Sequence, residues 1–265
     1  YHFLNLQGAH DIRTPLQEFE AKGNREWSQA SMFSQADAAG YLFEHYRRLA
    51  PQASGCLFWQ FNEPWPTCAW SLIDYYKIPK MALYRIAIAN APRAFSIEDQ
   101  SWCLRDGQLA GTVWYCSDRD PFNGTLNIEL WDGDGNKLLT RDVPVTAAKG
   151  TQRICDLHCD CKNASKGIVL AVLSATDAGG VLRSERLYGA PDFKNAFRLP
   201  GAQIEHFVQT NGPSLEVHLK NTGRIPALAL RAHSSQRLLW QQNYCSLAPG
   251  ESIVYHAQTV SDCPA

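Results

Sequence analysis

From Ser31 onward, apolar residues recur at three- and four-residue spacing: Met32, Phe33, Ala36, Ala39, Tyr41, Leu42, Phe43, Tyr46 and Leu49. That spacing predicts an amphipathic helix. Arg47 and Arg48 fall in its last turn, where positive charge suits the helix dipole, and Pro51 closes it. Residues 1 to about 30 carry polar and Gly-rich punctuation with few periodic apolar positions, which reads as loop with a short helix near Leu16 to Glu20. Leu57 to Phe61 is a short apolar run of strand type. Pro79 opens a second helix whose apolar positions are Met81, Ala82, Leu83, Ile86, Ala87 and Ile88, ending before Pro92. Helix, strand and helix in that order is the pattern of the closing portion of a (β/α) barrel, although one strand cannot make a barrel by itself.

After about Arg93 the pattern changes to short β segments broken by turns. Leu109 to Tyr115, Thr125 to Trp131, Lys137 to Val143, Thr151 to Leu157, Gly167 to Ala175 and Val181 to Leu187 are strand candidates, with Phe95 to Ile97 a seventh. Asp132-Gly-Asp-Gly-Asn136 is a hairpin turn by composition, since Gly and Asn tolerate positive φ. About seven strands in roughly a hundred residues is the size of an immunoglobulin-like sandwich. A Pro-containing joint follows, from Ala190-Pro191 to Leu199-Pro200. Gln203 to Gln209, Ser214 to Asn221, Ala227 to His233, Leu238 to Trp240 and Ser252 to Ala257 then alternate apolar and polar residues, as in a second, smaller sandwich. Leu215, Val217 and Leu219 oppose Glu216, His218 and Lys220, one dry face against one wet face. The expected organisation is α+β and multidomain: residues 1–92 as the terminal segment of a (β/α)8 barrel, residues 93–198 as an immunoglobulin-like sandwich, and residues 199–265 as a smaller β-sandwich.

Composition narrows the function classes. The 265 residues are 45% hydrophobic and 19% charged, the make-up of a folded chain rather than a disordered one. A formal net charge of −1, with no local run of Lys or Arg, offers no field for nucleic acid. No apolar stretch has the length of a membrane span, and no secretory signal is recognisable, so neither nucleic acid nor membrane is an expected partner. Because the first residue is Tyr1 rather than Met, the expectation is a piece of a longer polypeptide, or a processed one. Nine cysteines, an odd number scattered through a chain too large to need staples, fit reduced thiols in a cytoplasmic protein better than a disulfide framework. A periplasmic or secreted location is the alternative. Asn123-Gly-Thr125 and Asn163-Ala-Ser165 match the glycosylation pattern but carry little weight without a secretory context.

The most informative segment runs from Gly55 to Pro79 and holds Asn62, Glu63, Trp65 and Trp70 in a loop after the Leu57–Phe61 run. Aromatic faces stack on the C–H surfaces of sugar rings, and amide or carboxylate groups beside them bind hydroxyls, so the mixture suits a carbohydrate subsite. The phrase Gly55-Cys-Leu57-Phe-Trp59-Gln60-Phe-Asn62-Glu63-Pro-Trp65-Pro66, followed by Ser71, Asp74, Tyr75, Pro79 and Lys80, resembles the last barrel strand of glycoside hydrolase family 2, in its β-mannosidase-like branch. The resemblance implies a barrel followed by C-terminal β-sandwich domains, in a retaining β-glycosidase that hydrolyses terminal β-linked sugars. It implies as partners a β-linked oligosaccharide or glycoside and the remainder of the parent enzyme, with no cofactor.

Retaining glycosidases need two carboxyl groups about 5 to 5.5 Å apart, one nucleophile and one acid/base. In the family the acid/base Glu follows an Asn on an earlier strand and the nucleophile lies on the strand before the one seen here. Asn62-Glu63 is tempting, but it lies inside the final-strand phrase, where related sequences usually have Asp. Glu18, Glu20, Glu26 and Glu44 lack the surroundings of the family's nucleophile. Both catalytic carboxylates are therefore expected upstream of Tyr1, and no catalytic residue is assigned in this chain. Trp59 and Trp65 carry over as substrate-facing, with Asn62 and Glu63 as hydroxyl-binding partners. The competing readings are Trp59 packed inside the barrel and Glu63 paired with a cation or capping a loop. Trp70, Asp74, Tyr75 and Tyr76 are expected to pack the loop against the next helix, Asp74 as a turn or helix cap.

Two other features compete for a role. Cys155, His158, Cys159 and Cys161 have metal-ligand chemistry, but the spacing crowds four ligands into seven residues without a second half-site, so no metal site is assigned. Trp102, Trp114, Trp131 and Trp240 raise the alternative of a non-catalytic carbohydrate-binding or structural β-sandwich module. Their interleaving with Val, Leu and Ile favours core packing. A row of the four on an exposed face would favour the binding module.

Overall fold

The computed structural model of the chain describes residues 3–4 and 17–260. Leu16, where the sequence reading starts a short helix, and Cys263 lie outside the described residues. One helical turn occupies residues 17–19. Helix α1 (Gly23–Arg48) begins eight residues before the expected Ser31. Its first turns escaped the apolar count because small residues make the buried side: Ala30, Ser34, Ala36, Ala39 and Gly40 are buried, with Glu44 and Arg48 below them. The backbone N–H of Lys22 donates to Glu26 Oε2 at 2.7 Å, so the first turn is tied by its own acid. Small side chains let α2 (Met81–Ala89) approach closely, and Ala36, Ala39, Leu72, Ala82 and Ile86 form one cluster. Arg47 Nη1 donates to the carbonyls of Ala89 at 2.8 Å and Ala91 at 2.6 Å. Its charge thus serves the end of α2 rather than only the dipole of its own helix.

The expected strand at Leu57–Phe61 does not form. The carbonyls of Gln60 and Phe61 accept from Leu72 N (3.2 and 3.1 Å) and the carbonyl of Phe61 also accepts from Ile73 N (2.9 Å), so this segment bonds the return limb of its own loop. A strand exists only as a paired ladder, and among the described residues no other strand lies beside 57–61. The two-residue strands β1 (Phe3–Leu4) and β2 (Thr67–Cys68) pair in parallel elsewhere. A barrel sheet is therefore not formed among the described residues. What remains of that expectation is the order helix, extended segment, helix.

Downstream the sheets are antiparallel throughout. Strands β3 (Arg93–Asp99), β4 (Gln108–Ser117), β5 (Phe122–Asp132), β6 (Lys137–Ala147), β7 (Gly150–Asp160), β8 (Ile168–Asp177) and β9 (Gly180–Gly189) form two sheets, ordered β3-β4-β7 and β6-β5-β8-β9. All seven expected segments are strands, each longer than its apolar run. Phe95, Leu109, Val113, Tyr115, Leu126, Ile128 and Leu173 fill the layer between the sheets. The run Ile168–Leu173 is apolar without alternation because β8 is covered on both faces. Val169, Ala171 and Leu173 join that inner layer, while Ile168, Leu170 and Val172 meet Phe19, Ala30 and Phe193 on the outside. The outer layer seats the start of α1 on the sandwich, with Phe33 stacked on Trp102 at 5.9 Å.

A buried charged seam reinforces that seat. Arg186 on β9 reaches Asp99 Oδ2 (3.1 Å) on β3 and Asp37 Oδ2 (3.4 Å) on α1. The Tyr188 hydroxyl donates to Asp99 Oδ2 at 2.8 Å, and the Tyr41 hydroxyl to the Asp99 carbonyl at 2.7 Å. Burial pushes the Asp99 carboxyl up to about 6, with Arg186 and Tyr188 pulling the other way.

Six further strands follow among the described residues: β10 (Ile204–Asn211), β11 (Ser214–Asn221), β12 (Ala227–Leu230), β13 (Leu238–Trp240), β14 (Cys245–Leu247) and β15 (Ser252–Thr259). They form a sheet ordered β10-β11-β15-β13 and the pair β12-β14. Strand β14 has three buried residues, too few for alternation to register, and the expected Ala227–His233 stops at Leu230. Arg183 joins this unit to the sandwich, donating to Glu251 Oε1 at 2.5 Å and the Ser246 carbonyl at 2.6 Å. The Asp132–Asn136 turn docks there too. Asp132 accepts from the backbone N–H groups of Asp134 and Asn136, and burial, which would raise its pKa, is outweighed by these bonds, which hold it below the usual carboxylate range.

Two outcomes are expected. Asp99 has a raised folded pKa, so its contribution to stability is fully present below the unfolded carboxyl's range near pH 3.8 and is lost as the pH rises through about 6. Chemical denaturation across that window should show a loss on the order of 1–3 kcal/mol that Asp99→Asn flattens. Gly135 has φ +82°, and a Cβ there would sit 1.6 Å from the Arg224 carbonyl oxygen. Gly135→Ala is expected to destabilise by about 1–3 kcal/mol or more, read from the denaturation midpoint.

Candidate functional site

The loop from Leu57 to Lys80 is built on α1 and closed by α2. Gln35 Nε2, on α1, donates to the carbonyls of Trp70 (2.5 Å) and Ser71 (3.3 Å). Asp74 Oδ1 accepts the N–H of Ile78 at 2.8 Å, capping the turn before α2 as the sequence suggested. Lys80 N donates to the Leu72 carbonyl at 2.9 Å, and Glu63 N to that of Ile73 at 3.1 Å. Both limbs are thus pinned by main-chain bonds.

At the centre lies an ion pair. Glu63 is 4% exposed, and its Oε1 accepts from Lys80 Nζ at 2.5 Å and from Ser71 Oγ at 2.6 Å. Lys80 Nζ also donates to Ser71 Oγ and to the Ala69 carbonyl, each at 3.0 Å. A buried carboxylate needs such partners. Of the two roles open to Glu63 in the sequence, the pairing with a cation is present here.

The aromatic residues point the other way. Trp59 is 79% exposed and Trp65 59%, and Leu57, Phe61 and Asn62 are exposed beside them. Asn62 forms an isolated parallel bridge with Ile73, which fixes its backbone, and the residue is exposed. Trp59 is not packed in an interior among the described residues. Tyr75 and Tyr76 meet edge to face at 5.4 Å and are exposed, so they do not pack against α2 as expected; Trp70 is half-buried. Beside Trp59, an open groove of about 790 Å³ runs between the loop and α1, walled by Trp27, Met32, Leu42, Phe58, Trp70 and Tyr76. Its walls are mostly apolar, with Glu63 and Lys80 at one side.

The remaining candidates resolve into structural partnerships. Glu44 pairs with Arg85 at 2.7 Å, Glu18 with Arg105, and Glu20 with Lys194 at 3.6 Å, while Glu26 caps α1. His158 is exposed, whereas Cys155 and Cys159 pack against the inner sandwich layer, and no cluster of ligating side chains suited to a metal occurs among the described residues. Burial pushes the thiols of Cys103, Cys161 and Cys245 up to about 12, which makes them poor nucleophiles. The four other tryptophans do not form a row. Trp102 and Trp131 belong to the outer layer, Trp114 Nε1 donates to Glu98 Oε2 at 2.7 Å, and Trp240 packs in the last unit. Among the described residues, no helix is long and apolar enough to cross a membrane. Lys80 ends the family-like phrase, where the sequence alone gives it no task, and Gln35 stands outside that phrase. Gln35 carried no local sign, since its partners lie 35 and 36 residues away.

Comparison with known proteins places these features. No family model matches the chain. In sequence it is 36% identical over 97 residues to β-mannosidase B of Aspergillus niger, covering 34% of this chain and 12% of that protein. It is 33% identical over 83 residues to β-mannosidase B of Aspergillus fumigatus, covering 29% and 10%. The matches thus span about a tenth of those relatives. In fold it is similar to the β-D-mannosidase of Dictyoglomus thermophilum, with a TM-score of 0.73 and 21% identity, over 94% of this chain and 30% of that one. It is equally similar to the exo-chitosanase CsxA of Amycolatopsis orientalis, with a TM-score of 0.73 and 19% identity, over 94% and 33%. The likeness to these two structures is one of fold.

Gln35→Ala removes both bonds that α1 makes to the loop. It is expected to lower stability by about 1–2 kcal/mol, because the Trp70 and Ser71 carbonyls lose their donor. Denaturation followed by tryptophan emission checks this.

Proposed function

We propose that this β-mannosidase-like region of glycoside hydrolase family 2 is the C-terminal portion of a retaining β-glycosidase that hydrolyses terminal β-linked sugars. In that enzyme it supplies part of the sugar-facing wall and the accessory β domains. The observation that carries the reading is the outward pair of indoles, Trp59 and Trp65, on a loop whose Glu63, Ser71 and Lys80 side chains bond one another. An indole face stacks on the C–H face of a pyranose, and the Asn62 amide beside it offers a donor and an acceptor to hydroxyls. Glu63 acts in this reading with its remaining acceptor capacity, held in place by Lys80 and Ser71.

The chemistry itself is assigned elsewhere in the parent enzyme. A retaining mechanism requires two carboxyl groups about 5–5.5 Å apart across the scissile bond. Glu63 has its Oε1 engaged by Lys80 and Ser71, and the other glutamates of the helical part answer to cations or a backbone N–H. Residues 1–92 are read as the end of a (β/α)8 barrel, residues 93–198 as an immunoglobulin-like sandwich and residues 199–265 as a smaller sandwich. Partners in this reading are the β-linked glycoside and the rest of the parent glycosidase. The apolar groove between α1 and the loop is where the rest of the barrel packs, with exposed Leu57 and Phe61 at its strand contact. The alternative of an aromatic strip on the sandwiches loses its support, since Trp102 and Trp131 pack in the outer layer and Trp114 and Trp240 lie apart from them.

Assayed alone on aryl β-mannoside, β-galactoside and β-glucoside, the chain is expected to show no turnover. Turnover abolished by Glu63→Gln would overturn the placement of the catalytic pair. Joined to the rest of the parent polypeptide, it is expected to turn over one of these substrates, and Trp59→Ala to lower kcat/KM by about tenfold or more. An unchanged kcat/KM would remove Trp59 from the subsite.

A further inference from the structure

We propose that Lys80 is the positioning residue of the sugar-facing loop, a single ammonium that gathers both limbs and so sets the directions of Trp59 and Trp65. The role in sugar recognition rests on the reading above. The tie itself rests on geometry. An ammonium has three N–H groups, and Lys80 Nζ has three acceptors: Glu63 Oε1 at 2.5 Å, the Ala69 carbonyl at 3.0 Å and Ser71 Oγ at 3.0 Å. Glu63 stands before Pro64 and Trp65, and Ala69 and Ser71 stand after them. One group therefore clamps the entry and exit of the Trp65 loop at one point. Trp59 lies four residues before Glu63, and an indole 79% exposed has little packing of its own to fix it, so its direction follows the backbone.

The placement of Lys80 also argues for a task beyond stability. It is the residue preceding the first turn of α2, its side chain makes no cap bond to that helix, and the first turn holds no acid. A cation at a helix N-terminus opposes the macrodipole. The buried partner Glu63 brings a desolvation penalty, and apolar replacements of such pairs are often neutral or stabilising. The pair is better explained by the conformation it specifies than by stability it adds.

The test uses the chain labelled with 5-fluorotryptophan, its eight indoles assigned by single Trp→Phe substitutions. In Lys80→Met, the 19F resonances of Trp59 and Trp65 are expected to move toward the free amino acid or broaden, while those of Trp114 and Trp131 stay. Lys80→Arg is expected to restore them in part, since it keeps the charge and several donors. Glu63→Gln/Lys80→Met leaves no unpaired buried charge, and it is expected to keep the fold yet release the same two indoles. Trp59 and Trp65 resonances unchanged in both Met variants would overturn the proposal. So would collapse of all eight signals in both, since the tie would then hold the whole fold rather than the loop. The subsite reading is tested separately by the aryl-glycoside kinetics, so either idea fails without the other.

Discussion

The buried contact between Glu63 and Lys80 organises the site. A carboxylate almost closed to solvent is tolerable only beside a cation and further donors, and Lys80 and Ser71 supply both. Turning these polar groups inward has a geometric consequence. The loop satisfies itself from within, and its large aromatic surfaces are left for contact with something outside. Exposed indoles on a loosely held loop would be a liability to solubility. On a loop held at both limbs they form a defined surface.

The tie is only as firm as what carries it. Lys80 stands just before α2, α1 holds the loop through Gln35, and α1 is seated on the sandwich by apolar and charged contacts. Phe19, Ala30 and Phe33 meet the outer face of β8 and β9, while Asp37 and Tyr41 join the Arg186–Asp99 seam. The β sheets thus do more than follow the helical part in sequence. They brace the helix on which the site is built, and Arg183 with the Asp132 turn carries that brace on to the last unit.

Much of this was legible in the residues, and for identifiable reasons. The seven strands from Arg93 to Gly189 were readable because turn chemistry at Asp132–Asn136 and alternation within β5 are local properties, as is the alternation within β11 of the last unit. The second helix was readable from Pro79 and its apolar run. The early turns of α1 were hidden because Ala30 and Ser34 achieve burial by being small rather than apolar and large. Strand β14 was hidden by its brevity. The Leu57–Phe61 run has the composition of a strand, but pairing is a long-range property, and among the described residues it bonds only the return limb of its own loop and no neighbouring strand. The site shows the same division. Trp59, Asn62, Glu63 and Trp65 stood out by type and spacing, whereas the contact from Gln35 spans more than thirty residues and left no mark in the sequence near either partner.

The account stands or falls on which surface meets a sugar. A titration of the 15N-labelled chain with methyl β-mannoside, followed on the indole Nε1–H resonances, addresses this without requiring turnover. The account predicts that Trp59 and Trp65 shift in a saturable way while Trp102, Trp114, Trp131 and Trp240 stay fixed. Saturable shifts confined to those four, with Trp59 and Trp65 unmoved, would contradict it.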